Sequence, residues 1–446
     1  MEVSCLVSDI LDCIGYNEEI ISTRRKYWQN YMRVFNSVQQ ELSVVVAGSK
    51  AEGITSLYES DTDQMLLFND AICANDIQHL PPVSDFTTLH ADTRETPPGY
   101  TRLKMISCLG EDSKRFLQES SFKSGSNKFI SSSLFLSSIM RETRTTDYCN
   151  DIIQIGELSG PAVSRKVMQH LSYDQVVAFP CYCPKILQTW KRRRRLYSWP
   201  PVDVREAAAS MPAQVVPVGS KLSDDQGREW RFCFILSELE LTCSLNETQI
   251  KLYILLKMVA KDILKNVSKG ISSYMMKNVT FWMSELLPKE LFRKENLINL
   301  LFLSLVFLKK CVSYSNGLPY YMIPGRNLLA EKLTPDSRQP LCDLIGTLIA
   351  EGPRFILLRC NKLRAASGVL ISSPTSLKID GRRRNMIEKL IYLQIILSMN
   401  MKDESLISAV VLERMDLLEW EEIVNNCTHE ENFALKLEEK ISSILS

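Results

Sequence analysis

The chain is short of histidine: four in 446 residues, His79, His90, His170 and His429, scattered rather than clustered. Chemistry that needs neighbouring imidazoles as bases or metal ligands is therefore not expected. An excess of either charge is also missing. Lys and Arg number 53 against 52 Asp and Glu, leaving +1, so any nucleic-acid contact has to come from local patches. No apolar run reaches bilayer length: the greasiest, "LINLLFLSLVFL" (297–308), is flanked by charge and reads as a buried helix. The opening "MEVSCLVSDILDC" carries acids where a signal peptide needs bases and an uninterrupted apolar core, so a soluble cytoplasmic or nuclear chain with no membrane partner is expected. Thirteen cysteines, odd and scattered, read as reduced thiols; "CYC" (181–183) has no partner pair nearby and reads as structural, with no zinc expected. No Gly-Lys-Ser/Thr ending marks a P-loop, and neither internal repeats nor low-complexity segments occur.

At 45% hydrophobic and 24% charged, the chain has the balance of a globular protein, with length for two or three packed units. Residues 5–42 recur apolar at three-to-four spacing and predict helix; "SVVVAG" is β-branched and ends on Gly48, a strand running into a turn. Short strand-like runs follow to about 230: "QMLLF", "YTRLKMI", "YDQVVAF", "AQVVPVG" and "REWRFCFI". After about 245, long helical periods take over, and a last helical stretch (385–446) follows a polar link, "SSPTSLKIDGRRR". The expected class is α+β, with a mixed β-sheet core and a C-terminal all-α part. The segments expected are 1–245, 246–350 and 351–446.

One stretch carries chemistry: "GSKAEGITSLYESDTD" (48–63). Side chains alternate along a strand, so Asp61 and Asp63 point the same way. Paired carboxylates repel unless one or two divalent cations sit between them; an acidic loop ahead of "QMLLF" gives the same string. Gly48 and Ser49 offer close backbone approach and a hydroxyl, the elements of a phosphate cradle. A third acid from a neighbouring strand would complete a metal site, and Asp174 in "LSYDQVVAFPCYC" is the candidate, though strand-end aspartates also cap turns. Gly-Ser followed by an acid-X-acid pair on the next strand is the local signature of the nucleotidyltransferase superfamily.

Several stretches in order extend this: "PPGYTRLKM", "GPAV", "SYDQVVAF", "SWPP", "VVPVGSK", "EWRFCFILSELE", "QIKLYILLKMVAKDIL", "SSYMMKNVTFWMSE" and "LPYYMIPGRNLL". With these the chain resembles the cyclic GMP-AMP synthase-like receptors and their male-abnormal-21-like relatives over residues 40–330. The resemblance implies a bilobal nucleotidyltransferase fold in which a spine helix backs the α/β core and a helical lobe (helix-hairpin-helix, H2TH-like) closes the cleft. It implies two Mg²⁺ or Mn²⁺ ions on Asp61, Asp63 and Asp174, with Gly48 and Ser49 on phosphate. Lys257 resembles the lysine that reaches the phosphates, Ser273 and Tyr274 the pair that touches phosphate and stacks on a base. Arg231 and Glu238 resemble residues near the acceptor nucleotide. The implied substrates are ATP, GTP or other nucleoside triphosphates, and the product a cyclic di- or oligonucleotide messenger of innate immunity. Activation is implied through a ligand on the spine helix (17–42) that orders the loop ahead of Asp61. Cys233 and Ile235 stand where base-contacting serines often occur, and the zinc-binding insertion of the vertebrate DNA sensor has no counterpart. That absence weakens double-stranded DNA as the activator and leaves double-stranded RNA, or another ligand, open.

"KRRRR", Lys191, Arg192, Arg193, Arg194 and Arg195, and "GRRR" (381–384) are the dense basic blocks. Adjacent cations can contact successive phosphates; a solvated charged turn or an import address has the same composition. A catalytically inactive scaffold of the same fold is the alternative function, and a template-independent RNA-tailing enzyme shares the core motif.

Overall fold

A computed structural model describes residues 2–398 apart from 58, 77, 79–85, 147–152, 168–170 and 315–316. His79, His170 and His429, and most of the expected last helical stretch, lie outside the described residues. Among the described residues, twelve strands form one mixed sheet: β1 (Leu42–Val46), β2 (Thr62–Phe68), β3 (Ala71–Ala74), β4 (Thr87–Asp92), β5 (Tyr100–Ser107), β6 (Ser121–Ser124), β7 (Asn127–Ile130), β8 (Ile153–Ser159), β9 (Ala162–Val167), β10 (Leu171–Tyr182), β11 (Ala213–Val216) and β12 (Glu229–Cys233). The order is β1-β2-β10-β11-β12-β5-β4-β3; β6–β7 and β8–β9 extend it as antiparallel hairpins. β2 and β10 run parallel, in a register that sets Asp174 beside Asp63 and Ala178 beside Leu67.

The expected helix over 5–42 is two helices, Glu2–Leu11 and Glu18–Val38, with an irregular turn between them. Gly15 adopts φ 89°, and Asn17 caps the second helix by accepting from the Ile20 N–H at 3.0 Å. The glycine is also needed for space, since a Cβ there would lie 2.5 Å from Nη1 of Arg384.

Helices follow the sheet as expected: Glu247–Asp262, Ser273–Leu286 and Leu297–Ser313. A capping box on Asn246 and Gln249 starts the first, which buries nearly its whole circumference and so is central. The stretch Lys294–Ser313 is apolar and long enough to cross a membrane by composition, yet half of it is buried within the protein. The residues read as a polar link are not one. Pro374–Ser398 is a continuous helix that follows Pro335–Glu351, Arg354–Arg359 and Asn361–Ser372. Proline is tolerated in a first turn, and packing overrides the polar composition. One buried apolar cluster runs through all three segments, with Val7, Phe179, Leu255, Leu301 and Leu363 among its members.

The last helix is fastened to the spine helix by a buried pair. Arg24 Nε and Nη2 donate to the two carboxylate oxygens of Glu388, each at 2.7 Å, with both side chains fully enclosed. Tyr392 donates to the same carboxylate at 2.9 Å. Breaking one partner of such a pair strands a charge at a cost of about 3–5 kcal/mol. Glu388→Gln should therefore lower stability to denaturant by about 3 kcal/mol, and Arg24→Met with Glu388→Leu should recover most of it. Equal losses in the single and double variants would contradict this account of the contact.

Candidate active site

β1 is a β-branched run that buries Val44, Val45 and Val46. Beyond it, the Ala47 N–H donates to the Asp63 carbonyl at 2.8 Å, and the chain turns through Gly48 (φ 66°) into the short helix Gly48–Ala51. A Cβ at position 48 would stand 2.4 Å from Oδ2 of Asp63. Only glycine lets this loop lie against that carboxylate. Ser49 Oγ accepts from Nζ of Lys257 at 2.8 Å, which joins the loop to the helix Glu247–Asp262. Burial lowers the Lys257 pKa to about 8, although Glu52 and Glu59 pull it the other way.

β2 starts at Thr62, so Asp61 lies just ahead of the strand that carries Asp63, and the parallel register brings Asp174 next to Asp63, one strand spacing of about 4.8 Å away. Asp63 is open to solvent but sits in a concave wall. Displacement of water by the surrounding protein, then the charges of Asp174, Asp61 and Glu52, raise its pKa to about 6. Asp174 Oδ1 accepts from the Ser164 hydroxyl at 2.5 Å, and Asp61 accepts from the Ser172 hydroxyl. Three carboxylates without nitrogen or sulfur donors suit a hard cation such as Mg²⁺ or Mn²⁺. The space kept open by Gly48 beside Asp63 fits that use. The donor set fits but does not converge: Asp61 and Asp174 are each turned to a serine, and among the described residues no three His, Cys, Asp or Glu side chains are arranged to hold a metal ion.

Asp63 and Asp174 border a cleft of about 610 Å³, which Gly48, Arg231, Glu238 and Tyr274 also line. That volume suits a small-molecule ligand. Asp61, Ser49, Lys257 and Ser273 are not among its lining residues. Ser273 is exposed in the first turn of its helix, and the preceding Ser272 both caps that helix and lines the cleft.

A buried network, of which the sequence reading named Glu238 and Tyr274 but not Lys277 or Glu52, holds the cleft's helical wall to the loop. Lys277 Nζ pairs with Glu52 at 2.9 Å and Glu238 at 2.5 Å. Glu238 Oε1 also accepts from the hydroxyls of Tyr274 (2.9 Å) and Tyr320 (2.6 Å), and Glu52 accepts from Tyr253 at 3.1 Å. Burial disfavours the Lys277 charge, but Glu238 and Glu52 outweigh it and push the pKa well above the ordinary lysine value. Lys50 lies under the loop, donating to the Leu57 carbonyl (2.6 Å) and the Thr62 hydroxyl (2.9 Å). Burial lowers its pKa to about 8. "GSKAEG" and "SSYMMK" held these residues; their signal was a charge inside an otherwise buried segment.

The "KRRRR" block does not present five cations on one face. Arg193 and Arg195 turn inward onto Glu285, at 2.7 and 3.1 Å, and lie against Trp282, Tyr321 and Trp190. Lys191 pairs with Glu206, and Arg192 and Arg194 remain exposed. The buried carboxylate of Glu285 requires those guanidiniums, so much of the run has a structural role. In the second block, Arg382 and Arg383 are exposed while Arg384 packs on Gly15.

Residues 248–346 match the family model of the Mab-21 protein HhH/H2TH-like domain. No curated protein matches the chain. The matched span covers Lys257, Ser273 and Tyr274 but none of the three aspartates. It supports membership of the Mab-21 family, whose domain belongs to a nucleotidyltransferase superfamily, and the mixed α/β architecture is compatible with that class.

The carboxylate cluster has a measurable signature. Because the folded-state pKa of Asp63 lies above 3.8, the folded chain retains a proton that the unfolded chain loses between 3.8 and about 6. Its contribution to stability is greatest on the acid side of that window and falls as pH rises through it. Asp63→Asn should raise the melting temperature at neutral pH, and the two curves should converge below 3.8. A variant less stable than the wild type at neutral pH would contradict this.

Proposed function

We propose that the chain is a bilobal nucleotidyltransferase that joins nucleoside triphosphates into a cyclic di- or oligonucleotide, switched on by a nucleic acid such as double-stranded RNA. The observation that carries this reading is the parallel register of Asp174 with Asp63 directly against the Gly48–Ser49 loop. Asp61, Asp63 and Asp174 would hold Mg²⁺ or Mn²⁺, which supplies charge neutralisation at the transferring phosphate.

The chain's own residues account for the remaining requirements. Gly48 lets backbone N–H groups approach a phosphate, and Ser49 presents a hydroxyl already engaged by the Lys257 ammonium. An arriving phosphate favours the protonated form of Lys257 and so raises a pKa that burial has lowered. Tyr274, with its hydroxyl fixed on Glu238 and the residue 36% exposed, offers a face for stacking on a base. In the reaction a ribose hydroxyl oxygen bonds to the α-phosphorus as the bond to pyrophosphate breaks. A carboxylate of the Asp63–Asp174 pair takes the hydroxyl proton. Positioning and charge carry this chemistry, and no imidazole is needed.

Purified protein incubated with the four nucleoside triphosphates, Mg²⁺ or Mn²⁺, and double-stranded RNA, double-stranded DNA or neither should yield a phosphatase-resistant product. Asp61→Asn with Asp63→Asn should lower its formation by at least about a hundredfold. No product under any condition, with nucleotide still bound, would overturn catalysis and leave a nucleotide-binding scaffold.

A further inference from the structure

Lys50 carries a charge where burial opposes one. The residue is 2% exposed, and both of its acceptors, the Leu57 carbonyl (2.6 Å) and the Thr62 hydroxyl (2.9 Å), are neutral oxygens. An ammonium in that position gives up hydration that two neutral oxygens do not replace. Burial accordingly lowers its pKa, while Asp61, Asp63 and Glu59 favour the charged form. Lys50 is not among the residues that line the cleft, so contact with a ligand there does not account for it.

What the ammonium does is close a ring. Lys50 sits in the short helix Gly48–Ala51, directly after Ser49, and Thr62 opens β2 twelve positions later. Thr62 is 1% exposed, whereas Asp61 and Asp63 on either side of it are exposed. Alternation thus turns Thr62 inward onto Lys50 and leaves its two acidic neighbours outward. Leu57, itself 3% exposed, ties the middle of the loop to the same nitrogen. That nitrogen lies 5.8 Å from the centre of the Trp28 ring, which seats the closed loop on the spine helix. One side chain therefore links the phosphate-loop helix, the loop and the residue between the two acids.

We propose that Lys50 is a positioning residue: by gripping Thr62 from the inner face it holds Asp61 and Asp63 in register with the Gly48–Ser49 loop, so that the acid pair is set before a divalent cation arrives. That the acids bind a metal rests on the reading above; the brace itself does not. Charge and position pull metal affinity in opposite directions. Removing a cation near carboxylates strengthens their attraction for a divalent ion. Loosening a group that orients metal ligands weakens binding, by about tenfold to a hundredfold. The sign of the change in a Lys50 variant therefore separates the two roles.

Two measurements on the full chain test this. The first is hydrogen exchange in chelator at the amides of Gly53, Ile54, Ser56 and Glu59, all hydrogen-bonded within the loop. It should quicken about tenfold in Lys50→Met and in Thr62→Val, with exchange in β11 and β12 unchanged. Thr62→Val keeps shape and charge, and Thr62→Ser, which keeps the hydroxyl, should exchange like the wild type. The second is titration with Mn²⁺, followed by its paramagnetic-resonance signal. Lys50→Met and Thr62→Val should each bind about tenfold more weakly, even though Lys50→Met has lost a repelling charge. Tighter binding by Lys50→Met with Thr62→Val unaffected would leave Lys50 an electrostatic role and overturn the positioning. Wild-type loop exchange in both variants, or faster exchange throughout the sheet in both, would overturn it as well. If the wild type binds no Mn²⁺ that Asp61→Asn with Asp63→Asn removes, the metal reading fails, and loop exchange alone decides the brace.

Discussion

The parallel pairing of β2 with β10 is the constraint on which the rest of the site depends. It sets two like charges side by side, an arrangement a sheet does not favour. The opposite ends of the same strands hold it together. Phe68 and Phe179 stack with centroids 5.5 Å apart, and Phe135 and Trp230 pack against Phe179. Each strand is thus anchored by aromatic contact at one end and free to carry mutually repelling carboxylates at the other. Gly48 then brings the loop against Asp63, and Lys257 brings a helix to the loop.

The C-terminal helices support the same region from behind. Besides the Arg24–Glu388 pair, Lys362 reaches Glu59 in the loop ahead of Asp61, where Tyr16 also donates at 2.9 Å. Burial disfavours the Glu59 charge, but Lys362 outweighs it and holds the carboxyl well below its usual range. The loop that leads into the acid pair is therefore tied to both ends of the described chain.

The sequence was most legible where pattern is local. β1, β2, β5 and β10 lie where β-branched and apolar runs placed them, as do the three central helices. Asp63 lies in β2 and Asp61 just ahead of it, and Asp174, reached by motif, stands beside Asp63 in the parallel register. Long-range pairing was illegible. Arg24 and Glu388 stand 364 positions apart, and nothing near either residue marks the other. The basic run at 191–195 read as surface because its partner, Glu285, lies on a distant helix. "SSPTSLKIDGRRR" read as a link because its composition is polar, whereas contact with the spine helix and the turn before it makes it helical.

The central claim is that Asp61, Asp63 and Asp174 form a divalent-metal site facing a bound nucleotide. Crystals grown with Mn²⁺ and a non-hydrolysable nucleoside triphosphate, measured for anomalous scattering from manganese, test it most directly. The account predicts an anomalous peak shared by the three carboxylates, with Asp61 and Asp174 turned away from Ser172 and Ser164, and phosphate density beside Ser49. Nucleotide density in the cleft with no manganese at these aspartates, and with both serine contacts intact, would contradict it.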